Sequence, residues 1–227
     1  MAKMKKKEQK LIPETELVII TGNIEISPGV HLISYKRNAE FLPGQVVKIA
    51  LDEHQPPRIY SICSGNHEPE IRILFNIKQE GLLTPKLAAC IPGDTIMVSK
   101  PYGSFIDTGG EAWWIATGTG IAPFYSMFRS GNSENKRLIH GVRHLNQYYF
   151  EDELEWAMGD SYIRCCSGES SSNTFPGRVT DFLKQENNFP REIKYYLCGK
   201  ALMVVEVRDL LIEKGVPFEN ILAEIYF

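Results

Sequence analysis

A chain of 227 residues is long enough for one large domain or two small ones. Its 43% hydrophobic and 23% charged residues are those of an ordinary globular protein, neither disordered nor collagen-like. A formal charge of −3 argues against a protein that coats itself in nucleic acid, and the mild charge difference between the two halves names no partner.

The first residues, with Lys3, Lys5, Lys6, Lys7 and Lys10, begin like the basic region of a signal peptide. Pro13, Glu14 and Glu16 interrupt the apolar core that would have to follow, so residues 1–12 are expected to form a flexible, solvated tail. From Leu17 to about Ile106 apolar residues come in short runs: Leu17–Thr21, Gly29–Tyr35, Gln45–Ala50, Ile71–Ile77 and Thr95–Ser99. Pro28-Gly29, Pro43-Gly44 and Pro92-Gly93 punctuate them, which predicts an antiparallel barrel or sandwich. One short helix is expected at Thr84–Ala89, with Pro85 in its first turn.

After Asp107 the rhythm changes. Strand-like runs at Ala112–Thr117, Arg137–Val142, Tyr162–Ser167, Lys194–Gly199 and Ile221–Tyr226 alternate with helix-like segments at Pro123–Arg129, Phe150–Ala157, Val179–Gln185 and Ala201–Lys214. In the last of these Val204, Val207, Leu210 and Leu211 make an amphipathic stripe, and Gly215 with Pro217 ends it. This alternation predicts a parallel sheet covered on both faces. The Asp107-Thr108-Gly109-Gly110 stretch is the natural boundary, giving domains at 1–107 and 108–227. The longest uncharged stretch, Ala112 to Phe128, is slightly short for a bilayer and is broken by Gly118, Gly120 and Pro123, so no membrane insertion is expected. Cys63, Cys90, Cys165, Cys166 and Cys198 contain no CxxC or cluster-ligand spacing, and the five histidines are scattered. No metal site is expected, and a reducing, cytoplasmic compartment fits.

Two local patterns carry chemistry. Thr117-Gly118-Thr119-Gly120-Ile121-Ala122-Pro123 joins a predicted strand to a predicted helix, where glycines let backbone N–H groups approach a pyrophosphate. Pro123 stands where a third glycine of the usual dinucleotide fingerprint would be. In Arg58-Ile59-Tyr60-Ser61, strand alternation puts Arg58 and Tyr60 on one face. A guanidinium there suits phosphate oxygens, and a flat ring suits a fused-ring cofactor.

Taken in order, Arg58–Ser61, Gly81-Leu82-Leu83-Thr84 with Gly93-Asp94, the glycine loop, Cys198-Gly199 and the terminal Glu224-Ile225-Tyr226-Phe227 resemble the ferredoxin–NADP⁺ reductase family, in register from Phe41 onward. The resemblance implies a six-stranded antiparallel Greek-key barrel that holds FAD, followed by a Rossmann-like parallel α/β domain that holds NADP(H) or NAD(H). It implies that Arg58 binds the FAD pyrophosphate, Tyr60 packs on the isoalloxazine and Ser61 hydrogen-bonds near flavin N5, with Ile59 between them. Phe75, Asn76 and Ile77 match the strand passing the flavin, and Gly81, Leu82, Leu83 and Thr84 match the loop and helix start that receive the pyrophosphate. Thr117, Gly118, Thr119 and Gly120 match the nucleotide loop, Arg143 and Arg178 match positions that can supply positive charge, Ser167 lies in the stretch matching the family's Ser-Arg pair, and Gly199 stands beside Cys198. Catalytic roles are implied for Ser61, Cys198, Glu224 and Tyr226: Cys198 beside the nicotinamide, Glu224 as a proton relay, and Tyr226 as the aromatic cover of the flavin. Phe227 is expected to reach the FAD adenine.

In one place the pattern departs. NADPH-using members carry a Ser-Arg pair where this chain reads Ser167-Gly168-Glu169, so both donors stay open. The resemblance implies a flavoenzyme passing electrons singly to ferredoxin or flavodoxin, as a monomer or weak dimer. A flavin or quinone reductase without a protein carrier, and a flavin-binding conduit subunit of a larger complex, are the alternatives.

Overall fold

In the computed structural model residues 15–226 are described; the expectations for residues 1–12 and for Phe227 fall outside them. Two six-stranded sheets follow one another along the chain.

The first is antiparallel and contains β1 (Thr15–Ser27), β2 (Val30–Lys36), β3 (Val46–Ala50), β4 (Arg58–Ser61), β5 (Glu70–Asn76) and β6 (Thr95–Ser99), in the order β4-β3-β6-β1-β2-β5. A bridge between Ile62 and Ile73 joins the two ends and closes the barrel. Val18, Ile20, Ile33, Tyr35, Val47, Ile49, Ile73 and Val98 fill it. β1 is much longer than the Leu17–Thr21 run suggested, because its register with β2 slips twice, at Ile20/Gly22 and Glu25/Ser27. Such bulges let one strand bend between two faces of a barrel, which apolar periodicity does not reveal. Helix α1 (Thr84–Ala88) plugs one end through Leu87, and the Asn23 side chain donates to the carbonyls of Leu87, Ala88 and Cys90 at its C-terminus.

The second sheet is parallel and contains β7 (Ala112–Thr117), β8 (Lys136–Val142), β9 (Tyr162–Cys166), β10 (Phe175–Pro176), β11 (Lys194–Lys200) and β12 (Ile221–Tyr226), in the order β10-β9-β8-β7-β11-β12. The short β10 was not expected; two residues carry no periodicity. Helices α2 (Ala122–Arg129), α3 (Glu151–Met158), α4 (Val179–Gln185) and α5 (Ala201–Glu213) connect the strands. The expected α5 stripe is buried, and Met203 extends it. Cys165 packs with Ile115 and Leu183 while Cys166 packs with Val142 and Tyr148, so the adjacent thiols face opposite ways as strand geometry requires.

Barrel and sheet share an apolar core in which Val30, Cys63, Leu74 and Phe105 meet Trp114, Phe124, Tyr125 and Tyr196. Ser126 donates to the Ser64 carbonyl (2.7 Å), and Arg129 pairs with Glu68 (2.9 Å). At the sequence junction Lys136 and Asp107 form a buried ion pair (3.3 Å), with Lys136 also reaching the Gly110 carbonyl. A buried pair of this kind fixes geometry more than it adds stability.

Candidate active site

The strand order sets where a ligand belongs. β8, β9 and β10 lie on one side of β7, and β11 and β12 on the other, so the chain reverses direction across the sheet beside β7. Open parallel sheets bind ligands at the carboxyl ends of strands at such a reversal. There the Gly118–Ile121 segment forms a 3₁₀ turn before α2, tighter than the direct strand-to-helix turn expected, with Pro123 in the first turn of α2. Gly118 has φ +54° with open space in front of it, a conformation and an approach that a side chain would obstruct. Gly120 has the opposite need, since a Cβ there would lie 2.3 Å from the Cys198 carbonyl oxygen. The Thr117 hydroxyl, between them and Gly199, is buried with no hydrogen-bond partner among the described residues. An orphaned hydroxyl beside an open glycine turn fits a polar ligand that supplies the missing partner.

Next to this loop, Cys198 sits on β11 with Ala116 on one neighbour and Glu224 of β12 on the other. Burial pushes the Cys198 thiol well above its ordinary value and the Glu224 carboxylate adds to the shift, so the group is a neutral thiol. Glu224 meets the barrel: the Ser61 hydroxyl donates to its Oε2 (3.1 Å), and the Tyr226 hydroxyl donates to Ser61 Oγ (2.7 Å). Burial pushes Glu224 up to about 7, while the Ser61 hydroxyl pulls the other way. A carboxyl group with this value changes protonation near neutral pH, which suits a proton relay. The four residues given catalytic roles by resemblance thus lie together, at the seam of barrel and sheet.

On the barrel side Arg58 is exposed, with no carboxylate partner among the described residues, and Tyr60 is half-buried, its ring edge toward Phe75 (6.2 Å). Ile59 is exposed. Phe75 points into the barrel core and stacks on His31 (5.6 Å), so its side chain is spent on packing, while Asn76 is exposed and Ile77 half-buried. In the Gly81–Thr84 loop Leu82 is exposed and Leu83 buried. The Thr84 hydroxyl is buried and accepts the Lys78 N–H (2.8 Å), which shapes the loop from within. Arg143 and Ser167 are neighbours at the tips of β8 and β9, where both the Ser167 N–H (3.1 Å) and its hydroxyl (3.3 Å) donate to the Val142 carbonyl. Arg178 is exposed and precedes α4, with its N–H donating to Asp181. Among the described residues no group of His, Cys, Asp and Glu is placed to hold a metal ion.

Two residues escaped the sequence reading. His140 is fully buried under the glycine loop, bonded to Tyr162 Oη (3.2 Å) and the Gly118 carbonyl (3.2 Å). Tyr102, after β6, feels the Glu224 charge and carries the Lys48 ammonium 5.3 Å from its ring centre. Neither belongs to a local motif, because each is placed by a strand distant in sequence.

An antiparallel barrel and a glycine-looped parallel sheet, joined at their seam through one half-buried carboxyl, Glu224, are the frame of an oxidoreductase of the nicotinamide-nucleotide class. The family model for the oxidoreductase NAD-binding domain matches residues 114–209. The ferredoxin–NADP reductase of Azotobacter vinelandii is 31% identical, over 83% of this chain and 88% of that one. The chain belongs to the ferredoxin–NADP reductase family. A probable dihydroorotate dehydrogenase B (NAD(+)) electron transfer subunit of Pyrococcus abyssi is 27% identical, over 86% of this chain and 73% of that one. In fold, the chain is similar to a ferredoxin NADP⁺ reductase from Neisseria gonorrhoeae crystallised with FAD and NADP (TM-score 0.85, 20% identity, 94% of this chain and 99% of that one).

Proposed function

We propose that this protein takes a hydride from NAD(P)H onto FAD and passes electrons singly to ferredoxin or flavodoxin. The carrying observation is the Tyr226–Ser61–Glu224 chain, which ties the barrel to the strand pair that holds Cys198. FAD, when bound, supplies the two-electron to one-electron conversion. Arg58 grips its pyrophosphate together with the Gly81–Thr84 loop, Tyr60 packs on its ring system, and Ser61 lies at the reacting edge. On the sheet side Gly118, Thr119 and Gly120 receive the nucleotide pyrophosphate, the Thr117 hydroxyl gains its missing partner, and Cys198 flanks the nicotinamide. Tyr226 covers the flavin site and has to turn away from Ser61 to admit the nicotinamide. Glu224, poised near neutrality, holds or releases the proton that accompanies electron transfer. We assign FAD to residues 1–107 and the nucleotide to 108–227.

The name of the Pyrococcus relative favours a second reading, a flavin-bearing conduit subunit of a larger complex. Five free cysteines support a reducing compartment, which we take to be the cytoplasm. Among the described residues no helix is long and apolar enough to cross a membrane.

The test is anaerobic: the purified protein, loaded with FAD, should be yellow, bleach on addition of NADH or NADPH, and turn over faster with ferredoxin or flavodoxin present. Bleaching without stimulation by either carrier supports a reductase of free flavins or quinones. Little bleaching of the isolated chain supports the conduit subunit, and failure to take up FAD refutes all three.

A further inference from the structure

At the mouth of the barrel two polar side chains stand on its inner face. Asn23 of β1 lies opposite Ile33 of β2, and His31 of β2 lies opposite Phe75 of β5. Residues directly opposite one another on antiparallel strands share a face, so both point inward with Ile33 and Phe75, and both are half-buried. Asparagine is a poor strand former, so strand propensity does not account for Asn23.

Their contacts run to both ends of the Gly81–Thr84 loop. The loop leads into α1, five residues long, a length at which a helix cannot hold itself. Asn23 Nδ2 donates to three carbonyls at the end of α1, those of Leu87 (3.1 Å), Ala88 (3.2 Å) and Cys90 (2.8 Å), and so supplies donors that a helix C-terminus lacks. Carbonyls only accept, so the amide is fixed with Oδ1 toward His31 Nδ1 (3.1 Å), which carries the proton and donates it. On the strand before the loop, the His31 ring stacks on Phe75 (5.6 Å between centres), and Phe75 meets the Tyr60 ring edge-on. The chain then passes through Asn76 and Ile77 to Lys78, whose N–H donates to Thr84 Oγ1 (2.8 Å) and whose carbonyl accepts the Gly81 N–H (2.7 Å). One histidine–asparagine pair thus links the strand that enters the loop to the helix that leaves it, and through Phe75 to Tyr60.

We propose that Asn23 and His31 are positioning residues for FAD: His31 orients the Asn23 amide, and the amide holds α1 so that the Gly81–Thr84 loop stays set to receive the pyrophosphate. Both act through the loop rather than on the cofactor. The proposal rests on the functional reading above and deepens it, by naming what shapes the FAD site from inside the barrel.

The test measures the FAD Kd of flavin-free protein by quenching of flavin fluorescence, and backbone hydrogen exchange at 78–90 in the same protein before FAD is added. Asn23→Leu, which keeps the size and removes the amide, should raise the Kd by about tenfold or more, the scale of several lost hydrogen bonds. His31→Phe, which keeps the ring and removes the donor, should raise it about two- to tenfold. His31→Asn places a donor where Nδ1 stood and should bring the Kd back to the native value. In the first two variants exchange should quicken at 78–90 and stay native in β3 and β6. With FAD saturating, the KM for NADH or NADPH should not move, a split that loss of folded protein cannot mimic. If Asn23→Leu does not fold, the comparison of His31→Phe with His31→Asn carries the test. An unchanged Kd in the damaging variants overturns the proposal even where exchange quickens, because the pair then only stabilises the barrel. Native exchange at 78–90 beside a raised Kd, or a His31→Asn Kd as high as that of His31→Phe, overturns it too. Native protein that takes up no FAD marks instead the failure of the functional reading, and takes this proposal with it.

Discussion

The two ends of the parallel sheet's carboxyl edge are built on opposite principles. At β7, β11 and β12 the polar groups are few and withdrawn from solvent: a buried, orphaned Thr117 hydroxyl, a buried neutral Cys198 thiol, and half-buried Glu224, raised by desolvation to about 7. At β8 and β9 the groups are exposed and mutually satisfied, with Glu169 lowered by the donors it collects. Burial shifts the ionisable groups at one end, to which we assign the chemistry. Hydrogen bonding shifts Glu169 at the other.

The largest effect is expected at the buried end. Glu224→Gln and Ser61→Ala should each slow anaerobic flavin reduction by roughly a hundredfold, the lower range for loss of a positioned proton-transfer group. The native rate should show an inflection near pH 7, where Glu224 titrates, and Glu224→Gln should abolish it. Stability carries the same mark. Because the folded value lies above the unfolded one, the folded state holds the extra proton between about pH 4.5 and 7, and stability falls as pH rises through that window. A pH-independent rate in the native protein would break the distinction between the two ends.

Most of the architecture was legible in the sequence because both halves carry strong periodicity and their strands fall where Pro-Gly turns leave them. β7, α4 and β12 match the reading at both ends. The full length of β1 was not legible, since Leu17, Ile19 and Ile24 are apolar yet exposed and the register slips at Thr21 and Ile26 break the alternation. The site was legible as a set of residue types in order, but not as a geometry. No local pattern announces that Tyr226 bonds to Ser61, 165 positions away, or that the Thr84 hydroxyl turns inward to Lys78. The closing of the turn after β8 was equally hidden, because it depends on Glu169 reaching the Leu145 N–H from the loop after β9.

A smaller effect compares two glycines with nearly the same clash. A Cβ at Gly120 would lie 2.3 Å from the Cys198 carbonyl oxygen, and one at Gly168 would lie 2.4 Å from that of Arg143. Gly120 is buried against two residues of β11, Cys198 and Gly199, whereas exposed Gly168 meets Arg143 alone. Gly120→Ala should therefore cost about 1–3 kcal/mol, the usual range for overpacking, and raise the KM for the nucleotide. Gly168→Ala should cost clearly less. Equal losses in thermal or urea melts would show that the β8–β9 turn is as rigid as the core, and would remove the contrast between the ends.

The smallest effect concerns His140, which lies beneath the boundary between the two ends. The Gly118 carbonyl can only accept, so Nε2 carries the proton and Nδ1 accepts from the Tyr162 hydroxyl. Burial lowers His140 to about 4, opposed by the bond to Gly118, so the imidazole is neutral at working pH. Its bond ties the Gly118 carbonyl to β8 from beneath the loop, so its expected effect on a nucleotide is indirect. His140→Phe removes both hydrogen bonds; loss of the one to Gly118, worth about 0.5–1.5 kcal/mol, should raise the nucleotide KM about two- to tenfold while leaving kcat and FAD retention nearly intact. A second readout separates this from general damage. Below about pH 6.5 the unfolded chain binds a proton that folded His140 refuses, so native stability should fall as pH drops toward 4, and His140→Phe should flatten that slope. The slope is opposite in sign to that of Glu224 over the same window, so the two variants should tilt the stability profile in opposite directions. A fall in kcat matching the rise in KM would instead place His140 in the chemistry of the reactive end.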